Sequence, residues 1–192
     1  NVKITGQIRY SYKETDKHGH HSKLRTRLFV NGQINEDWAY TGRFNQENDL
    51  TNAGYDDKVD LNWAFVTGKL GGVKVMAGRN DFVWTDTMDT RGDGIKLTYG
   101  KDIQLTGAAL KATSSKEVGA IVADDRISVA DLGAKVGIVN ANVRYFKGDI
   151  GAEDKDKEIY EVAAALPVAK DLKLAASYFN GDDVIDGDTN GY

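Results

Sequence analysis

The chain has 192 residues, with 25 Lys plus Arg against 29 Asp plus Glu and a formal charge of −4, whereas a nucleic-acid binder would normally carry a basic excess. It has no cysteine, which excludes zinc–thiolate sites, disulfide scaffolds and thiol nucleophiles. Its longest unbroken apolar run, Val162 to Ala169, is 8 residues against about 20 for a membrane helix, so helical spans are excluded. No cationic segment followed by an apolar one opens the chain, so any secretory signal is expected to be gone already. A β-barrel stays open, because its strands are apolar on one side only and leave hydropathy low.

The period along the chain is two. Val2, Ile4, Gly6, Ile8, Tyr10 and Tyr12 alternate with Lys3, Thr5, Gln7, Arg9, Ser11 and Lys13, a pattern that fits a half-buried strand and no helix. The second strand, Lys23 to Ile34, sets Leu24, Leu28 and Val30 against Arg25 and Arg27. The third places Trp38, Tyr40, Gly42 and Phe44 on one face and Thr41, Arg43 and Asn45 on the other. The fourth sets Val59, Leu61, Trp63 and Phe65 against Asp60, Asn62 and Ala64. Gly71-Gly72 is a hairpin signal, and the fifth strand follows with Val73, Val75 and Ala77. The sixth has Ile95, Leu97 and Tyr99, and the seventh runs from Ile103 to Ala112. The eighth has Leu132, Ala134, Val136 and Ile138, and a turn is expected near Val139-Asn140. The ninth has Val143 and Tyr145, and the tenth has Tyr160, Val162, Ala164 and Leu166. A turn over Pro167 to Asp171 would then lead to an eleventh strand with Leu172, Leu174, Ala176 and Tyr178. Short connections alternate with longer polar ones, the layout of an up-and-down barrel with turns at one rim and loops at the other.

The faces differ in chemistry. The polar face gathers Lys3, Arg9, Lys13, Lys23, Arg25, Arg27, Arg43, Lys58, Lys74, Lys96, Lys135, Arg144 and Lys173, against only Glu47, Asp60, Asp131 and Glu161. The walls are therefore basic and the loops acidic. On the apolar face Tyr10, Tyr12, Trp38, Tyr40, Tyr99, Tyr145 and Tyr178 sit near strand ends, where aromatic rings settle at membrane interfaces. Arg9, Arg25, Arg27, Arg43, Lys74 and Arg144 are the expected pore-lining residues. The segment Asn80 to Asp93 holds Asp81, Asp86, Asp89 and Asp93 beside Phe82, Val83, Trp84 and Met88. As a loop folded inward it would oppose its acids to the basic wall, and opposed charges at a constriction filter ions. The plainer reading is an ordinary external loop.

The phrases GQIRYSY, RTRLFVNGQINEDW, GRFNQEND and GKLGGVKVMAGRND resemble the barrel region of the outer-membrane porins of diderm Firmicutes, over roughly the first 112 residues. The resemblance implies a trimeric general-diffusion porin of about 16 strands, of which about eleven fall in residues 1–192. It also implies an S-layer homology domain that tethers the outer membrane to peptidoglycan and lies outside this sequence. By position, Arg25, Arg27 and Arg43 match the basic wall and Asn80 to Asp93 the constriction loop.

Two further clusters have plainer alternatives. His18, His20 and His21 carry metal-capable nitrogens, but a solvated loop cluster is the favoured reading, and pairing one with Ser22 for hydrolysis is geometrically poor. Asp186, Asp188 and Asn190 match the first half of a calcium loop whose closing Glu is not in the sequence. Structural calcium there is the one cofactor the pattern allows.

The reading is thus an all-β, antiparallel up-and-down transmembrane barrel, one partial porin domain over residues 1–192. It would be a passive channel of the bacterial outer membrane for small hydrophilic solutes and ions. It would have no catalysis, contact lipid and lipopolysaccharide, assemble as a homotrimer and bind no nucleic acid. The alternatives are a soluble β-rich carbohydrate-binding or surface-layer module, and a barrel acting mainly as an envelope anchor.

Overall fold

A computed structural model describes residues 1–15, 19–51, 58–84, 88–113, 123–150, 156–169 and 172–181. The protein is all-β. Its strands are β1 (Val2–Thr15), β2 (Gly19–Gln33), β3 (Trp38–Asp49), β4 (Asp60–Leu70), β5 (Val73–Val83), β6 (Asp89–Gly100), β7 (Ile103–Ala112), β8 (Arg126–Val136), β9 (Val139–Asp149), β10 (Asp156–Ala169) and β11 (Leu172–Gly181). They are neighbours in chain order, up and down, with no crossover. The chain forms two compact units, Asn1–Thr67 and Gly68–Tyr192.

In the first unit β1 pairs with β2 from Val2↔Gly32 to Thr15↔Gly19, and β2 with β3 from Lys23↔Asp49 to Gln33↔Ala39. The strands are longer than their apolar cores. Polar residues such as Lys13, Glu14, Glu47 and Asn48 continue the ladders, because cross-strand hydrogen bonding needs backbone, not hydrophobicity.

In the second unit β5 to β11 pair successively. Connections 84–88, 113–125 and 150–155 are longer than 101–102, 137–138 and 170–171, so the two rims differ as the sequence implied. At the short rim, Gly137 has φ of 62° and opens a two-residue hairpin of the kind that needs φ > 0. The turn is therefore Gly137-Ile138, and Val139 and Asn140 begin β9 instead of turning. Pro167 also differs from expectation. It lies inside β10 opposite Lys173, at an irregularity between Pro167 and Ala169, the kind of interruption where a strand tolerates Pro.

A small core lies toward the long-loop end of this unit. Phe82, Met88, Ala112, Ile127, Phe146 and Ile150 are all buried. Phe82 and Phe146 have no exposed surface, and full burial of a side chain of that size stabilises by about 1.5–3 kcal/mol. The other face stays bare. Ile95, Leu97, Tyr99, Ile103, Leu105, Leu132, Val143, Val162, Leu174 and Tyr178 are exposed, as are Ile4, Ile8, Tyr10 and Leu28 in the first unit.

Candidate pore-lining face

In the first unit the register stacks the predicted arginines. Arg9 pairs with Arg25, Arg25 with Glu47, Gln7 with Arg27, Arg27 with Asn45 and Phe29 with Arg43. All share one face, because side chains of paired positions point the same way. Arg27 Nε donates to Asn45 Oδ1 at 2.9 Å. Lys23 Nζ lies 3.3 Å from Glu47 Oε1, both exposed. Arg9 is exposed and Arg25 and Arg27 half-buried, but Arg43 is only 4% exposed. Its guanidinium lies 3.5 Å from the centroid of Trp63, and Phe29 stands 6.1 Å from the same ring.

That contact corrects the reading of β4. Trp63 belongs to the arginine face, and alternation takes Leu61 and Phe65 with it and Asp60 to the other side. A slip of one residue flips every side chain of a strand. Apolarity alone assigned Trp63 to the bare face, but a ring over a desolvated guanidinium has its own attraction.

In the second unit the polar parity carries Lys74 opposite Thr98, Met76 opposite Lys96, and the facing hydroxyls of Thr98 and Thr106 at 3.1 Å. Lys74 is exposed. Arg144 is not a free cation. It is flanked in register by Asp131 on β8 and Glu161 on β10. Arg144 Nε lies 3.3 Å from Asp131 Oδ1, and Nη1 donates to Glu161 Oε2 at 2.8 Å. Asn142 Nδ2 donates to the same Asp131 oxygen at 3.0 Å. The side chains of Arg144 and Glu161 are 12% and 1% exposed. Sequence reading placed all three on the polar face; only the turn lengths, which set register, could have shown that they meet.

The predicted constriction loop is largely strand. Asn80 to Val83 end β5 and Asp89 to Asp93 begin β6, paired from Asn80↔Gly92 to Val83↔Asp89. Phe82 and Trp84 pack on the polar face, Trp84 stacking on Phe82 at 5.9 Å and meeting Phe146 edge-on at 5.8 Å, while Val83 is exposed with the opposite parity. Its acids do not follow. Asp81 and Asp93 share the parity of Val75, Ala77, Ile95 and Leu97, the bare face. There Asp93 takes a two-pronged bond from Arg79, both contacts 2.7 Å, and Asp81 one from Arg91 at 2.9 Å. Cross-strand ion pairs answer these acids locally, so the hairpin extends where a loop was expected. Asp89 is buried in β6 with the same parity, and Asp86 lies outside the described residues. Near the end of β7, Lys111 Nζ lies 2.7 Å from Oδ1 of Asp124 in the loop before β8, and this hydrogen bond and charge hold the Asp124 carboxyl below its ordinary value of 3.8.

His20 and His21 begin β2 opposite Glu14 and Lys13, on opposite faces, with His20 stacked on Tyr12 at 6.3 Å. Among the described residues no group of three metal-capable side chains forms. His18, Asp186, Asp188 and Asn190 lie outside the described residues.

No protein-family model matches the chain, and no curated protein does. Among solved structures it resembles outer-membrane porins. Salmonella typhi OmpF in complex with daunomycin is 12% identical over 94% of this chain and 78% of that one, with a TM-score of 0.46. OmpT of Vibrio cholerae with loop L8 deleted is 14% identical over 95% and 83%, at 0.43. The trimer form of in-vitro folded OmpT from the same organism is 16% identical over 95% and 78%, at 0.40.

Proposed function

We propose that the chain forms the wall of a passive outer-membrane channel for small hydrophilic solutes and ions. One observation carries the reading: the bare apolar face. Exposed aliphatic side chains recur at alternate positions of β1, β6, β7, β8 and β11, far beyond the patch a soluble protein normally leaves in water. A bilayer covers such a face, and exposed Tyr10, Tyr12, Tyr99, Tyr160 and Tyr178 suit its interfaces. The opposite face carries Arg9, Arg25, Arg27 and Lys74, which need water.

On this reading the lineage is that of the porins of diderm Firmicutes, the assembly is a homotrimer, and lipid and lipopolysaccharide surround it. The arginine face of β1–β3 sets an anion preference. The test is electrical. Protein purified in detergent and added to a planar bilayer should give stepwise, ohmic conductance increments. A folded, membrane-inserted preparation that never conducts overturns the proposal.

A further inference from the structure

On the polar parity of β9–β11 lies an open pocket of about 540 Å³, inside the range of about 300–1,000 Å³ typical of small-molecule sites. Its floor is made of small side chains: Ala163 and Ala165 of β10 face Ser177 and Ala175 of β11 in register. Their size is what leaves the depression. Trp84 and Phe179 stand at its sides, and Trp84 is fixed by its contacts with Phe82 and Phe146.

The polar groups are specific. Glu161 lines the pocket with a side chain 1% exposed. Its Oε2 is taken by Arg144, while its Oε1 is buried with no hydrogen-bond partner. A carboxylate oxygen in that position is costly unless a donor reaches it, and a carboxylate can only accept. Asn142 gives its Nδ2 to Asp131, which leaves its Oδ1 as a second acceptor. Charge is balanced around the site, Asp131 and Glu161 against Arg144 and Lys173, so an ion gains little net attraction there. A ligand that fits is uncharged, rich in hydroxyl donors, and has an apolar C–H face to lay against a ring, whose face is electron-rich.

We infer that the Trp84–Glu161 pocket is a binding subsite for a neutral saccharide. The inference rests on the channel reading, because it supposes that solutes reach this face. The probe is maltotriose, titrated against the full chain in detergent micelles and followed by saturation-transfer NMR, with glucuronate and lysine as charged controls. Saturable maltotriose binding is expected, weakened at least tenfold in Trp84→Ala and in Ala175→Phe, which fills the floor. Glu161→Gln should weaken it at least threefold. Circular dichroism selects the variants that keep the β signal, and either of the first two suffices. Absence of saturable binding, affinity unchanged in those variants, or lysine binding in place of maltotriose overturns the subsite. Bilayer conductance of the same parent separates the two claims. A conducting parent that ignores maltotriose removes only the subsite; a silent parent that binds it removes only the channel.

Discussion

On β2 and β3 Arg27 donates to the Asn45 amide, Arg43 lies over the Trp63 ring, and Arg25 is in register with Arg9 and Glu47. On β8 to β10 Arg144 stands between two carboxylates, one almost fully buried. In the first arrangement like charges adjoin where water reaches, since Arg9 is exposed and faces Arg25 directly. The second sets one cation against two carboxylates and is largely buried. The first unit therefore sets like charges side by side, whereas the second pairs opposite ones under cover. The sharpest break of this contrast is a pair of deletions. Arg144→Ala strands two carboxylates and should cost about 3–5 kcal/mol, as for other buried pairs that lose a partner. Arg25→Ala removes one of two opposed like charges and should cost about 1 kcal/mol or less. Denaturant unfolding from detergent or lipid reads both, and equal costs would dissolve the distinction.

The next largest effect tests the faces themselves. Leu28 pairs with Phe44 on the bare side, so Leu28→Arg should cost about 2–4 kcal/mol in a bilayer. Leu61 shares its parity with Trp63 and should accept arginine with far less loss. If Leu61→Arg is as damaging as Leu28→Arg, Trp63 has been assigned to the wrong side.

Those two leucines mark how far the sequence could be read. Period-two alternation located all eleven strands and their up-and-down order, because that pattern is set by local backbone geometry. It failed where a residue's partner, not its polarity, chooses the face. Trp63 is apolar yet answers Arg43, and Asp81 and Asp93 are acidic yet sit on the bare face beside Arg91 and Arg79. Strand ends failed for a related reason. Residues such as Asn80 and Asp89 to Asp93 look like loop by composition but gain ladder bonds and cross-strand partners once β5 and β6 are joined. The arginine stack needed only correct alternation and was legible. The Asp131–Arg144–Glu161 contact needed the register of three strands, which depends on the Gly137 turn that composition placed two residues too late.

Selectivity sharpens the comparison at smaller energy. Replacing Arg25 and Arg27 by Glu reverses two charges on the arginine stretch of β2. In a salt gradient the reversal potential should move toward cation preference. The shift should shrink at 1 M salt, where the screening length falls to about 3 Å. Arg144→Gln should move it less, because it removes one charge where the double mutant reverses two. A folded, conducting double mutant with the parent's reversal potential would show that these arginines do not face the ion path.

The smallest effect belongs to the exposed ion pair between the end of β7 and the loop that follows it. Lys111 holds the Asp124 carboxyl below its ordinary 3.8 through a hydrogen bond and charge. A carboxyl depressed in the fold stabilises fully above its unfolded value, and that contribution fades as pH falls through the lower, folded value. Asp124→Asn should therefore be slightly less stable than the parent at neutral pH, and the two should converge in acid below the carboxylate range. Both groups are exposed, so added salt should close most of the gap even at neutral pH. The Arg144 cluster, shielded from solvent, should keep its own difference in the same salt. Stability measured across pH at two salt concentrations reads both at once. A gap at Asp124 that persists in acid would mean the side chain acts through packing, not charge.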